Sequence, residues 1–125
     1  MNEFAISFVL DPRLHAHAKS GWRAKADPVK EARKLGRLLA FNAKAKLTGR
    51  VEVSYSFFVG DRRRRDEANM IHHCKPIIDG VVDAGAIPGD HWEVLGIGRV
   101  STTLDCKLDW SRGVQVVLHF SEVGQ

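Results

Sequence analysis

Cysteine is scarce in this chain, with only Cys74 and Cys106 among 125 residues. Neither sits in a Cys-x-x-Cys or Cys/His spacing, so a disulfide framework and a thiolate zinc site are both disfavoured, and reduced, packed thiols are expected. Long apolar runs are also missing. The opening MNEFAISFVLDPR holds about seven apolar residues without a basic leader, and nothing elsewhere approaches the roughly 20 apolar residues of a membrane span. The expected location is the cytoplasm, with no membrane partner. Repeats and low-complexity segments are absent too, which leaves an ordinary globular composition. At 125 residues the chain is read as a single domain with one core, so any larger binding surface requires oligomerisation.

Charge is present but unevenly distributed. The net charge is +4, yet residues 13 to 65 carry 15 of the 19 Lys/Arg and 4 of the 15 Asp/Glu, a net of +11. The remaining residues carry 4 basic and 11 acidic groups, a net of −7. One part of the chain is suited to a polyanion while another collects carboxylates, the division expected of a metal-dependent enzyme acting on nucleic acid. A soluble protein with one basic, solvated helix has the same composition, so motifs must decide between the two.

Residues 3 to 10, EFAISFVL, alternate as a first strand that ends at Asp11-Pro12. Asp27 before Pro28 predicts an N-cap with proline in the first turn, opening a helix from 28 to about 47. Val29, Ala32, Leu35, Leu39, Ala43 and Leu47 recur at helical spacing, and Lys30, Arg33, Lys34, Arg37 and Lys44 fall opposite. VEVSYSFFVG from Val51 alternates as a second strand, expected to pair with the first. Asn69 to Ala84 has an apolar helical face with Gly85 as its left-handed terminator, and Pro76 predicts a kink or a restart near Lys75. Strands near Trp92 to Val100 and Val114 to Phe120 complete a β-α-β-α-β-β order. The expected fold class is α/β, a small mixed sheet packed by two helices.

The chemistry is concentrated in residues 62 to 90, RRRRDEANMIHHCKPIIDGVVDAGAIPGD. Four consecutive arginines, Arg62, Arg63, Arg64 and Arg65, repel one another unless solvent or an anion such as phosphate relieves them. Asp66 follows, then Asn69 at the expected helix start, Lys75 and Asp79 one turn apart, and Asp90 in the loop beyond. Mg²⁺ takes oxygen ligands and usually only one or two protein carboxylates, so Asp66 and Asp90 meet its minimum if the fold brings them together.

This stretch resembles the RusA family of Holliday junction resolvases. Arg65-Asp66 and Asn69 fit the family's R-D-x-D-N pattern, Lys75 and Asp79 keep its four-residue spacing, Ala84-Gly85 fits its helix end, and Asp90 fits the second aspartate of its D-D pair. Three departures stand out. Ala68 occupies the place of the second aspartate in R-D-x-D-N, Gly89 that of the first aspartate of the pair, and the interval from Asn69 to Lys75 is about one turn longer. The resemblance implies a Mg²⁺-dependent endodeoxyribonuclease (Mn²⁺ being the alternative ion) that cuts four-way junctions or other branched DNA in recombination and repair, as a homodimer and without a small-molecule cofactor. It implies Asp66 and Asp90 as metal ligands and Lys75 as the transition-state cation. Glu67, Asn69 and Asp79 are further candidates. Arg62 to Arg65, together with Lys19, Arg23, Lys30, Arg33 and Arg37, would hold the DNA backbone with little sequence information. The alternative is a catalytically impaired DNA-binding module of the same fold. An RNA-binding protein of ribosomal type would not need carboxylates beside its arginines.

Other conspicuous residues have plainer readings. His15 and His17 lack a third ligand and suit a polar loop. His72, His73 and Cys74 diverge by about 100° each on a helix and cannot converge on one ion. Trp22 packs over the core or stacks on an unpaired base, while Trp92 and Trp110 are assigned to the core or an interface. Asp79 is as readily the ion-pair partner of Lys75 as a metal ligand, and Asp83, Asp105 and Asp109 are read as solvated.

Overall fold

Alternation of apolar and polar residues builds the sheet. A computed structural model describes residues 2–10, 22–62, 64–105 and 114–123, with the side chains of residues 22–26 outside that description. Lys19, Arg63, His15, His17, Cys106, Asp109, Trp110 and the side chains of Trp22 and Arg23 therefore lie outside the described residues. The elements run β1 (Glu3–Leu10), α1 (Trp22–Asn42), β2 (Val51–Val59), α2 (Glu67–His73), α3 (Lys75–Asp83), β3 (Leu95–Leu104) and β4 (Val114–Glu122). The expected α/β class with a small mixed sheet is observed, and the second helix is divided at Cys74, the restart near Lys75 that Pro76 predicts. No described helix is long and apolar enough to cross a membrane.

The sheet order is β1-β4-β2-β3. β1 and β2 do not pair with each other as expected; β4 lies between them, antiparallel to both. β2 and β3 run parallel, which requires the long α2–α3 crossover between them. Phe4, Ile6, Phe8 and Leu10 of β1 share the buried face with Val51, Val53, Tyr55, Phe57 and Val59 of β2 and Val114, Val116, Leu118 and Phe120 of β4. Phe4 and Phe120, directly opposed in register, stack with ring centroids 4.8 Å apart.

β3 breaks the alternation. The β2/β3 register shifts between Val53 and Tyr55, where the Ser54 hydroxyl accepts from the Arg99 amide at 3.1 Å. A Cβ on Gly98 would lie 2.6 Å from that hydroxyl, so a side chain there would displace Ser54 from the bulge. Beyond it Val100, Thr102 and Leu104 stand opposite Tyr55, Phe57 and Val59. The strand extends to Leu104 rather than Val100, and Trp92 lies outside it in a turn.

The helices depart from expectation at their ends. α1 begins at Trp22, so Asp27 is not its cap and Pro28 is inside it; the proline φ is already helical, so the helix runs through at the loss of one donor, and Pro28, Ala32, Gly36 and Ala40 form one buried stripe from that point on. It ends at Asn42, followed by Lys44 at φ 52°, a left-handed turn. Leu47 matches the helical period yet belongs to the connection, buried there with its amide bonded to the Ala86 carbonyl at 2.7 Å. α2 starts at Glu67, two residues before Asn69, and α3 restarts at Lys75 with Pro76 in its first turn. α3 ends as expected at Gly85, φ 76°, with bonds from Gly85 to Val82 and from Ala86 to Val81 that close a Schellman motif.

α1 and α3 meet backbone to backbone. A Cβ on Gly36 would lie 2.1 Å from the Ile77 carbonyl oxygen, and one on Gly80 would lie 2.0 Å from the Arg33 carbonyl oxygen. Each glycine thus admits the other helix. Gly80→Ala is expected to lower the unfolding free energy by about 3 kcal/mol, since neither backbone can yield cheaply. Urea denaturation measures this; a loss below about 0.5 kcal/mol, the range of a neutral surface change, would show that the crossing is not close.

Candidate functional site

Three side chains named from the sequence converge. Lys75 and Asp79 stand one turn apart on α3, and the Lys75 ammonium donates to Asp79 Oδ1 at 2.8 Å. The same ammonium donates to Asp90 Oδ2. Asp90 arrives from the loop after the Gly85 terminator, a loop pinned by the buried Ala86 and Ile87. The two bonds hold Lys75 above its ordinary pKa, Asp79 contributing most. The Lys75 ammonium in turn holds the Asp90 carboxyl below the usual carboxylate range.

A second ion pair flanks this cluster across the helix crossing. Arg33 of α1 donates to Asp83 of α3 through Nε at 2.5 Å and Nη2 at 2.8 Å. This bidentate pair raises the Arg33 pKa and lowers that of Asp83. Asp79 and Asp90 reach Arg33 electrostatically, and Arg37 reaches Asp83. Asp83, read from the sequence as merely solvated, is thus part of the seam, and Arg33, read as a backbone-phosphate contact, is engaged within the protein. Lys30, Lys34 and Arg37 are exposed on α1.

Asp66 has a different task. It is the N-cap of α2, its carboxylate accepting from the Ala68 amide at 2.9 Å. Glu67 accepts from Thr102 Oγ1 on β3. Asn69 is exposed on α2. In the arginine run, Arg62 and Arg64 are exposed, whereas Arg65 turns inward to Asp61, meeting its carboxylate at 3.0 Å and its carbonyl at 3.2 Å. Among the described residues, no group of three or more His, Cys, Asp or Glu side chains gathers to hold a metal ion. What is gathered is a pair of carboxylates, Asp79 and Asp90, with a lysine between them. A Cβ on Gly89 would lie 3.3 Å from Val94 Cγ2 and 3.4 Å from the His91 ring, so the turn is closed tightly where the resemblance would place another aspartate.

No family model matches this chain, and no curated protein matches it either.

His72 is exposed while His73 and Cys74 are buried, so the three diverge as helical geometry requires. Burial pushes the Cys74 thiol up to about 12, which makes it a packed group and a poor nucleophile. Trp92 is not in the core: it is 78% exposed. Gly36, Gly80 and the Arg33–Asp83 pair went unread as site elements, although the four-residue ladder of Ala32, Gly36 and Ala40 was a visible sign of a close helix crossing.

The Lys75 bridge has a pH signature. Asp90's folded pKa is depressed, so its contribution to stability is present above the unfolded value near pH 4 and is lost as pH falls through the folded value. Lys75's is raised, so its contribution is present below about pH 10.5 and is lost as pH rises through the folded value. NMR titration of the carboxyl carbons should place Asp90 below the ordinary aspartate midpoint, and Lys75→Met should move it upward. An unmoved midpoint would mean that the bridge does not form in solution.

Proposed function

We propose that this chain is a Mg²⁺-dependent endodeoxyribonuclease of RusA type, working as a cytoplasmic homodimer on four-way junctions or other branched DNA in recombination and repair. The observation that carries the reading is the Asp79–Lys75–Asp90 cluster beside the cationic side of α1. Two carboxylates that share one ammonium mark a place where positive charge is favoured, and their hard oxygen donors suit Mg²⁺ or Mn²⁺. Asp90 and Asp79 would hold the ion, with Asp66 of the R-D pattern as the further candidate. The ion supplies Lewis-acid polarisation of a phosphodiester and a more acidic water. Lys75, already placed at the carboxylates, offsets the charge that develops on the phosphoryl oxygens. Exposed Arg62, Arg64, Lys30 and Arg37 contribute backbone affinity without base readout. Two copies related by a two-fold axis would present two such sites to two strands.

One observation favours the second reading, a branched-DNA-binding module with impaired cleavage. Ala68 supplies no carboxylate, and Asp66, its neighbour in the pattern, is committed to capping α2. Incubation with end-labelled four-way junction or matched linear duplex, in Mg²⁺ or EDTA, separates the two. Symmetric Mg²⁺-dependent cuts confined to the junction are expected, with Asp90→Asn reduced to background and Lys75→Met slowed on the order of a hundredfold or more. Tight junction binding without cuts would establish the binding module, and absence of both would sink the DNA reading. Binding should weaken steeply with salt, and Arg64→Ala should lower the log–log salt slope by about 1.

A further inference from the structure

Among the described residues Trp92 is the most exposed of the large apolar side chains, at 78%, and it stands two residues beyond Asp90. Its backbone is fixed on both sides. Arg50 Nη1 donates to the Trp92 carbonyl at 3.2 Å. The amides of Val94 and Leu95 both donate to the His91 carbonyl, at 3.0 and 2.9 Å, closing the turn that carries Trp92 into β3. The indole is therefore presented to solvent from a braced turn that shares its loop with Asp90. A Trp with no core to fill exposes a large π-face at the cost of hydration, and such faces are what unpaired bases stack on. Two residues of chain span at most about 7 Å, so the Trp92 and Asp90 backbones lie within roughly two nucleotide rises of one another. The guanidinium of Arg50, whose Nη2 lies 3.1 Å from where a Gly96 Cβ would stand, adds positive charge beside the turn, as a polyanion requires.

We propose that Trp92 is a stacking platform for an unpaired DNA base whose strand passes the Lys75–Asp79–Asp90 cluster. The inference deepens the branched-DNA reading and rests on it: base pairs at a branch point open readily, and a base released there can leave the stack and lie on the indole. Fully paired duplex offers no such base, so Trp92 adds selectivity for opened DNA, whereas the cationic residues add affinity for any DNA. A second copy of the chain covering Trp92 is the competing occupant.

The test is fluorescence anisotropy in EDTA with a labelled four-way junction, the same junction with two unpaired thymines at its centre, and linear duplex. The wild-type protein, Trp92→Ala and Trp92→Phe are compared, with their sedimentation recorded alongside. Trp92→Ala is expected to weaken the junction with unpaired bases by roughly tenfold, within the range that stacking one base supplies, and linear duplex by less than about twofold. Trp92→Phe should restore most of the loss. Equal losses on all three DNAs, or none, would overturn the proposal while leaving the branched-DNA reading intact. Dissociation of a wild-type dimer in Trp92→Ala would overturn it in favour of a subunit contact. Wild-type protein that does not prefer junction over linear duplex would remove the underlying reading, a different failure.

Discussion

The contact between the backbones of α1 and α3 at Gly36 and Gly80 sets the positions of the Lys75–Asp79–Asp90 cluster and of the Arg33–Asp83 pair. Helices separated by ordinary side chains can slide and rotate by small repacking; helices whose carbonyls occupy each other's Cβ space cannot. The crossing fixes the height and rotation of α3 on the sheet. With Ile77, Ile78 and Val81 turned to the core, Lys75, Asp79 and Asp83 must line the outward face at four-residue spacing. Asp83 then meets Arg33 across the seam, and Asp79 and Lys75 are left to meet Asp90.

The fold also reunites charges that the chain keeps apart. Arg33 comes from the segment of net +11 and its partner Asp83 from the remainder of net −7, yet they form a bidentate pair. Carboxylates gathered alone would repel each other and any phosphate. Here Lys75 lies between two of them and Arg33 neutralises a third, so the acidic cluster sits inside a cationic frame. Such a frame tolerates both a small cation and an approaching polyanion. The contacts are exposed, so salt screens them, and their value lies in placement more than in stability.

Period-2 patterns were legible where the strand is regular: β1 and β2 read directly from EFAISFVL and VEVSYSFFV, and Gly85 from its place after the apolar helical face. Strand neighbours were not, because the pairing of β4 between β1 and β2 joins distant parts of the chain and leaves no local mark. LGIGRVSTTL reads as a strand only as far as Val100, because the bulge at Gly98 inverts its faces midway and breaks the alternation. Asp27-Pro28 is a strong local start signal, but proline's fixed φ is already helical, so α1 can run through Pro28 at the loss of one backbone donor. At the site, Lys75 and Asp79 were legible as an i,i+4 pair, and the sequence pattern also pointed to Asp90. The engagement of Asp66 as a cap was not separated from its candidacy as a ligand, since a carboxylate before a helix suits both roles.

That ambiguity bears on what the absence of a carboxylate at position 68 would cost the proposed site. α2 has seven residues and begins where the Asp66 carboxylate meets the Ala68 amide, so ligands placed there would depend on a short helix held by its own cap. α3 is held by the glycine crossing at its middle and the Schellman motif at its end, and Asp90 by a turn with two buried residues behind it. On the proposed reading, the carboxylates that remain paired are those on the better-anchored elements. A site that loses a group from its least constrained element keeps its geometry and gives up charge, which a lysine already in place partly balances. The same loss on α3 would remove the geometry itself.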